Sequence, residues 1–132
     1  MKHAIAILMA GLLSASQLAQ ADEVEILNVY LQETGKSWRA EVTLKHADTG
    51  WEHYADAWRV VDEQGHLIKT RVLYHPHVNE QPFTRSLGSI LIPSDTSIVY
   101  VEAHDKVHGW SKQRIRVDLS RSSGDRYHVR RK

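Results

Sequence analysis

The sequence contains no cysteine, and its two methionines, Met1 and Met9, both lie near the N-terminus. The absence of cysteine excludes disulfides, thiol redox chemistry, cysteine nucleophiles and zinc–thiolate sites. Without methionine or cysteine beyond residue 9, the rest of the chain also lacks the soft ligands that select Cu(I). Any metal chemistry must therefore use nitrogen and oxygen ligands.

The chain also lacks an apolar run long enough to cross a bilayer, which needs about 20 residues. The longest apolar stretch, at residues 4–13, follows the basic Lys2 and precedes the sequence AQA at 19–21. This arrangement predicts a signal peptide over residues 1–21, cleaved before Asp22. We therefore expect a periplasmic or secreted protein with no stable membrane insertion after cleavage.

An excess of one charge is absent as well. The chain has 17 Lys and Arg against 16 Asp and Glu, and removal of Lys2 with the leader equalises the two counts. A neutral chain exerts no general attraction on nucleic acid or anionic lipid. Nucleic acid is therefore not an expected partner.

Apolar and polar residues alternate along the remaining chain, with no helical spacing of apolar positions. In residues 38–45, for example, Trp38, Ala40, Val42 and Leu44 fall on one face. Seven strands are predicted, at 24–31 with a bulge at 26–27, 38–45, 53–62, 67–74, 84–92, 97–104 and 114–119. The pattern predicts an all-β fold, a seven-stranded Ig-like/fibronectin type III-like β-sandwich over residues 22–119, with Trp58 buried. Residues 120–132, rich in Ser and Arg, are predicted to be a disordered basic tail.

Strand direction predicts where the histidines gather. If successive strands alternate in direction, the connections after the second, fourth and sixth strands open at the same end of the sandwich. The outward phases of His53, His75 and His104 predict that these imidazoles stand side by side on neighbouring strands. The predicted metal ligands are His53, His75, His77, His104 and His108.

The other three histidines after residue 21 are not interpreted as metal ligands. His46 continues the inward phase of the second strand and is interpreted as a capped core histidine. His66 is interpreted as a solvated turn residue, and His128 as a tail residue.

Imidazole is a common ligand of Cu(II) and Zn, so we expect one of these ions as the bound metal, held for sequestration or delivery. Glu80 or Asp105 would be a further ligand or would orient one. No G-x-S-x-G sequence occurs, and no enzymatic activity is predicted. A metal-dependent hydrolase is a third alternative, for which no general base stands out.

The alternative is a non-catalytic interaction module that docks a periplasmic protein partner or a glycan. Its contacts would come from aromatic and basic side chains at the same end of the sandwich. The candidates are Trp51, Phe83, Arg85 and Trp110.

Three blocks of the sequence together form a recognisable pattern: YADAW at 54–58, LYHPHVNEQPFTRS at 73–86 and AHDKVHG at 103–109. Together they resemble a family of small secreted bacterial proteins, and the resemblance covers most of the mature chain. It implies that the histidine-bearing blocks belong to the family's pattern. It implies no catalytic residue and no substrate.

Overall fold

A computed structural model describes residues 23–132, and in this part of the chain nine strands are present. They are β1 (Glu25–Thr34), β2 (Ser37–Lys45), β3 (Ala55–Asp62), β4 (Leu67–Val72), β5 (Phe83–Ile90), β6 (Ile98–Asp105), β7 (Gly109–Asp118), β8 (Ser123–Gly124) and β9 (Tyr127–Arg130). The predicted signal peptide at 1–21 lies outside the described residues.

The strands form two sheets that pack face to face. One sheet has the order β5-β2-β1-β9-β8 and the other has the order β4-β3-β6-β7. The predicted all-β sandwich is confirmed, and β3, β4 and β6 are neighbours in one sheet as expected. Each predicted strand is present, with ends that differ by a few residues.

The core lies between the sheets and is built by the inward positions of each strand. Ala40, Val42 and Leu44 of β2 are fully buried, and so is Trp58 of β3, as the alternation predicts. Because side chains on a strand alternate between the two faces, the intervening polar residues remain on the outside.

The predicted bulge in β1 is confirmed by a shift in its register with β2 between Ile26 and Asn28. Gln113 of β7, in the opposite sheet, supplies the hydrogen bonds that the bulge loses. Its Oε1 accepts from the Ile26 amide at 2.7 Å, and its Nε2 donates to the Ile26 carbonyl at 3.1 Å. One side chain therefore satisfies the irregular backbone and links the two sheets.

The prediction of a disordered tail is wrong. Strand β9 pairs in parallel with β1, so that Val29 lies opposite Tyr127 and Leu31 opposite Val129. Tyr127 and Val129 are buried in the core, and Arg131 donates to the Leu119 carbonyl at 3.0 Å. Two apolar side chains at alternate positions are enough to extend the sheet, although the surrounding residues are polar.

Candidate functional site

The connections β2–β3, β4–β5 and β6–β7 meet at one end of the sandwich, as strand direction predicts. The His77 amide in the second connection donates to the Asp48 carboxylate in the first at 2.7 Å. The His53 and His108 rings, from the first and third connections, have centroids 5.2 Å apart. We call this end of the molecule, formed by residues 46–56, 73–85 and 104–110, the histidine rim.

Asp48 is the buried hub that joins two of these connections. Its Oδ1 lies 2.5 Å from His46 Nδ1 and accepts from the Ala55 amide at 3.0 Å, while Oδ2 accepts from the His77 amide. Both oxygens therefore have donors. Because a carboxylate only accepts, His46 Nδ1 carries a proton, and in the neutral ring the lone pair is on Nε2.

Asp105, at the end of β6, is a second fully buried carboxylate with a different pattern of contacts. Its Oδ1 accepts from the amides of Val107 at 2.9 Å and His108 at 2.7 Å, and from the His108 ring at 3.1 Å. Its Oδ2 is buried and has no hydrogen-bond partner. Burial alone would raise the pKa of Asp105, but the amides of His108 and Val107 and the His108 ring outweigh it and hold the pKa below the usual 3.8. The rim therefore contains a buried negative oxygen with no donor, which is costly unless something compensates it.

A second unpaired atom lies beside the same carboxylate. His53 Nε2 is 3.2 Å from Asp105 Oδ1, yet it is buried and makes no hydrogen bond. His46, His53 and Asp105 each offer one ligand atom, and these three atoms all lie within 4.8 Å of one another. Among residues 23–132 no other group of three or more such residues is found.

The spacing of this group is close to that of a metal centre. A tetrahedral zinc ion with bonds of about 2.0–2.2 Å holds its ligand atoms about 3.4 Å apart. To share such an ion, the three protein atoms would need to approach one another by about 1.4 Å at most.

Of the five predicted ligands, only His53 belongs to the three-ligand group, and His53 and His75 lie outside the strands on which they were expected to stand beside His104. His104 Nδ1 lies 2.5 Å from Asp56 Oδ1. The exposed His75 instead packs beside His77, with centroids 4.6 Å apart. Neither His75 nor His104 belongs to a three-ligand group in the described part of the chain.

The physical reason is a bulge. The register of β3 against β6 shifts between Ala55 and Ala57. One extra residue reverses the faces of the residues that precede it. His53 therefore turns away from the outward face of Arg59 and lies against His46, with ring centroids 4.7 Å apart.

His77 is held in a state that does not suit a ligand. Its ring stacks on Phe83 with centroids 4.0 Å apart, and Arg85 Nη2 donates to its Nε2 at 2.8 Å. The lone pair is therefore engaged by Arg85, which also pairs with Glu80 at 3.2 Å. Burial, followed by the charge of Arg85, lowers the pKa of His77 below 6.5 and keeps the ring neutral. Arg85 and Glu80 thus act on His77 and not on the three-ligand group.

The two tryptophans predicted as contact residues differ in exposure. Trp51 is 64% exposed on the β2–β3 connection. Trp110 is partly covered, because the Arg59 guanidinium lies 3.6 Å above its ring and His104 packs against its edge. Of these two tryptophans, only Trp51 offers a largely open aromatic surface, and Phe83, also predicted as a contact residue, is buried.

Sequence reasoning missed His46 as a candidate ligand, and it missed Asp48 and Asp56 as partners that orient imidazoles. Asp56 lies in the YADAW block and contacts His104 of the AHDKVHG block, so two of the three blocks meet at the rim. No pattern in the sequence separates Asp48 from an exposed loop carboxylate.

Comparison with known proteins finds a similar protein, named "Putative lipoprotein", in Halomicrobium mukohataei. It is 39% identical over 97 residues, which cover 73% of this chain and 47% of the relative. The chain thus spans about half the length of that relative. No family model and no solved structure matches the chain. Within residues 23–132, no helix has the length and apolar character needed to cross a membrane.

Proposed function

We propose that the protein is an exported domain that binds a divalent transition metal, Zn or Cu(II), through His46, His53 and Asp105. The observation that carries the proposal is the pair of unpaired buried atoms, Asp105 Oδ2 and His53 Nε2, within this group. A cation between them would compensate the buried negative charge and accept the imidazole lone pair at the same time.

The donor set favours these transition-metal ions over Ca²⁺ and Mg²⁺. Two imidazole nitrogens and one carboxylate oxygen suit Zn and Cu(II), whereas Ca²⁺ takes six to eight oxygens and Mg²⁺ usually keeps several waters. Asp48 supports the proposed role of His46 as a ligand. Its hydrogen bond to His46 Nδ1 orients the ring, as carboxylates do behind metal-binding histidines.

Export is supported from two sides. The pattern at residues 1–21 is typical of a signal peptide. The name of the Halomicrobium relative describes a lipoprotein, which is a class of exported protein. A periplasmic or secreted domain with a largely buried ion fits sequestration or delivery of the metal.

Calorimetric titration of the metal-free protein with Zn and with Cu(II) tests the proposal. We expect one ion per chain, and a loss of affinity of at least about 100-fold in His53→Ala, because removal of a direct ligand should cost more than the roughly 10- to 100-fold lost with an outer-shell partner. His66→Ala is the matched control, because His66 is an exposed imidazole in the turn between β3 and β4. Absence of binding at micromolar metal, or an equal loss in the control, would contradict the proposal.

A second function, docking of a periplasmic protein partner or a glycan, is favoured by exposed apolar side chains on all three connections of the rim. Trp51, Tyr74 and Val107 are 64%, 73% and 59% exposed. Large exposed apolar side chains that cluster are typical of interaction sites. This function needs no metal, so it stands if titration shows no binding.

A further inference from the structure

We infer that His108 is the fourth ligand of the proposed metal centre and closes its coordination shell. The inference rests on the proposed function, because it concerns the same ion. His108 lies on the short β6–β7 connection, next to Asp105, and its side chain is 33% exposed.

The hydrogen bond of His108 fixes which nitrogen can bind a metal. His108 Nδ1 lies 3.1 Å from Asp105 Oδ1. A carboxylate only accepts, so Nδ1 carries the proton and Nε2 of the neutral ring carries the lone pair. Before it rotates toward the ion, the ring is therefore in the tautomer whose Nε2 can bind a metal.

The spacing of the rings fits a shared ion. A ring centroid lies about 3.2 Å from a zinc ion bound through nitrogen, so two imidazoles on one tetrahedral ion have centroids about 5.2 Å apart. The observed separation between His53 and His108 is 5.2 Å, and that between His46 and His53 is 4.7 Å. His108 lies outside the three-ligand group as its ring is now placed, so the ring would have to rotate to direct Nε2 to the ion.

This rotation leaves the Asp105 carboxylate with two of its three hydrogen-bond donors. When the ring leaves, Oδ1 keeps the backbone amides of Val107 and His108 as donors. The carboxylate therefore stays in position while His108 exchanges one hydrogen bond for a bond to the metal.

A fourth protein ligand has a consequence for function. Catalytic zinc sites keep one position for water, whereas sites with four protein ligands are closed. With His108 bound, no position remains for an activated water, and the centre stores or transfers the ion. The His108 side chain is 33% exposed and the His53 side chain is 15% exposed, while the Asp105 side chain is fully buried. Among the proposed ligands, His108 is therefore the most accessible from solvent.

Zinc titration of His108→Gly, with and without added imidazole, tests the inference. We expect affinity to fall by at least about tenfold and free imidazole to restore most of it, since the small molecule fills the vacated position. Wild-type affinity should not rise with imidazole. His104→Ala is the control, because His104 is also paired with an aspartate but lies outside the three-ligand group, and its affinity should match that of the wild type.

The outcomes separate the two proposals. If the wild-type protein binds no metal, both fail. If the wild type binds and His108→Gly binds equally well, or if imidazole restores nothing, the fourth ligand is not His108 and the centre keeps three protein ligands. Thermal unfolding of the metal-free variant verifies that it is folded.

Discussion

The histidine rim contains two buried aspartates, Asp48 and Asp105, that resemble each other in burial but differ in how their oxygens are used. Each carboxylate contacts a histidine ring and accepts from two backbone amides. The donors of Asp48 reach both oxygens. Those of Asp105 all reach Oδ1 and leave Oδ2 without a partner. Asp48 therefore holds the connections together, whereas Asp105 has one oxygen that can still accept a bond from another group.

The difference matters because a buried carboxylate is stabilised only by the groups that neutralise or hydrogen-bond it. Asp48 meets this requirement within the chain. Asp105 meets it in part, and a cation at Oδ2 would complete it. The two residues therefore predict different responses to substitution and to metal.

The largest effect is expected from Asp48→Ala. The change removes the acceptor of the His46 ring and of the Ala55 and His77 amides, so buried donors lose their partner. We expect a loss of about 3–5 kcal/mol in the free energy of unfolding, measured by urea denaturation of the metal-free protein.

Asp62→Ala is the matched control for this prediction. Asp62 also accepts from two backbone amides, those of Gln64 and His66, but it lies in a more exposed turn. The loss there should be clearly smaller. Equal losses in the two variants would contradict the structural role of Asp48.

The next effect in size concerns Asp105→Asn, which keeps an acceptor for the amides of Val107 and His108 but removes the charge. Zinc at 100 times its dissociation constant should stabilise the wild type by about 2.7 kcal/mol. We expect this gain to disappear in Asp105→Asn, measured by thermal unfolding with zinc and with a chelator. A variant that keeps the gain would show that Asp105 is not a ligand.

Much of the fold could be predicted from the sequence, because burial imposes a period of two on each strand. The inward set of β2 and the bulge after Ile26 follow from this period alone. The tail could not be predicted in the same way. Strand β9 has only Tyr127 and Val129 at its inward positions, and its partner β1 lies about a hundred residues away in the chain.

The site was predictable only at the level of whole connections. Strand direction brings the three connections together, but the choice of ligands depends on a single irregular residue in β3. Its bulge turns His53 toward His46, and no periodicity in the sequence reveals it. The oxygens of Asp48 and Asp105 are distinguished by backbone amides, whose positions depend on the loop conformations.

Acidification should lower the stability of the Asp48 side of the rim, where His77 is kept neutral. Burial and the Arg85 charge lower the pKa of His77 below 6.5, so the unfolded chain binds this proton more readily than the folded chain. The associated stability is therefore present above pH 6.5 and is lost as the pH falls below it. Urea denaturation at pH values from about 7 to about 5 should show that the free energy of unfolding declines less steeply in His77→Gln than in the wild type.

His128→Gln is the control for the pH prediction, because the His128 ring is exposed to solvent on β9. Its stability should decline with pH as that of the wild type does. An unchanged slope in His77→Gln would mean that other groups control the acid sensitivity of the rim.

The smallest effect is expected from Trp51→Ala, which tests whether the exposed aromatic surface and the proposed metal centre are separable. Trp51 is 64% exposed and contacts Tyr54 only through an edge, with ring centroids 5.8 Å apart. Its removal should change the free energy of unfolding by no more than about 0.5 kcal/mol. Zinc affinity should also be unchanged in calorimetry, because no atom of the three-ligand group depends on this ring. A large loss of affinity would mean that Trp51 supports the β2–β3 connection that carries His46 and His53, and the rim would then be one cooperative unit instead of a metal centre beside a separate contact surface.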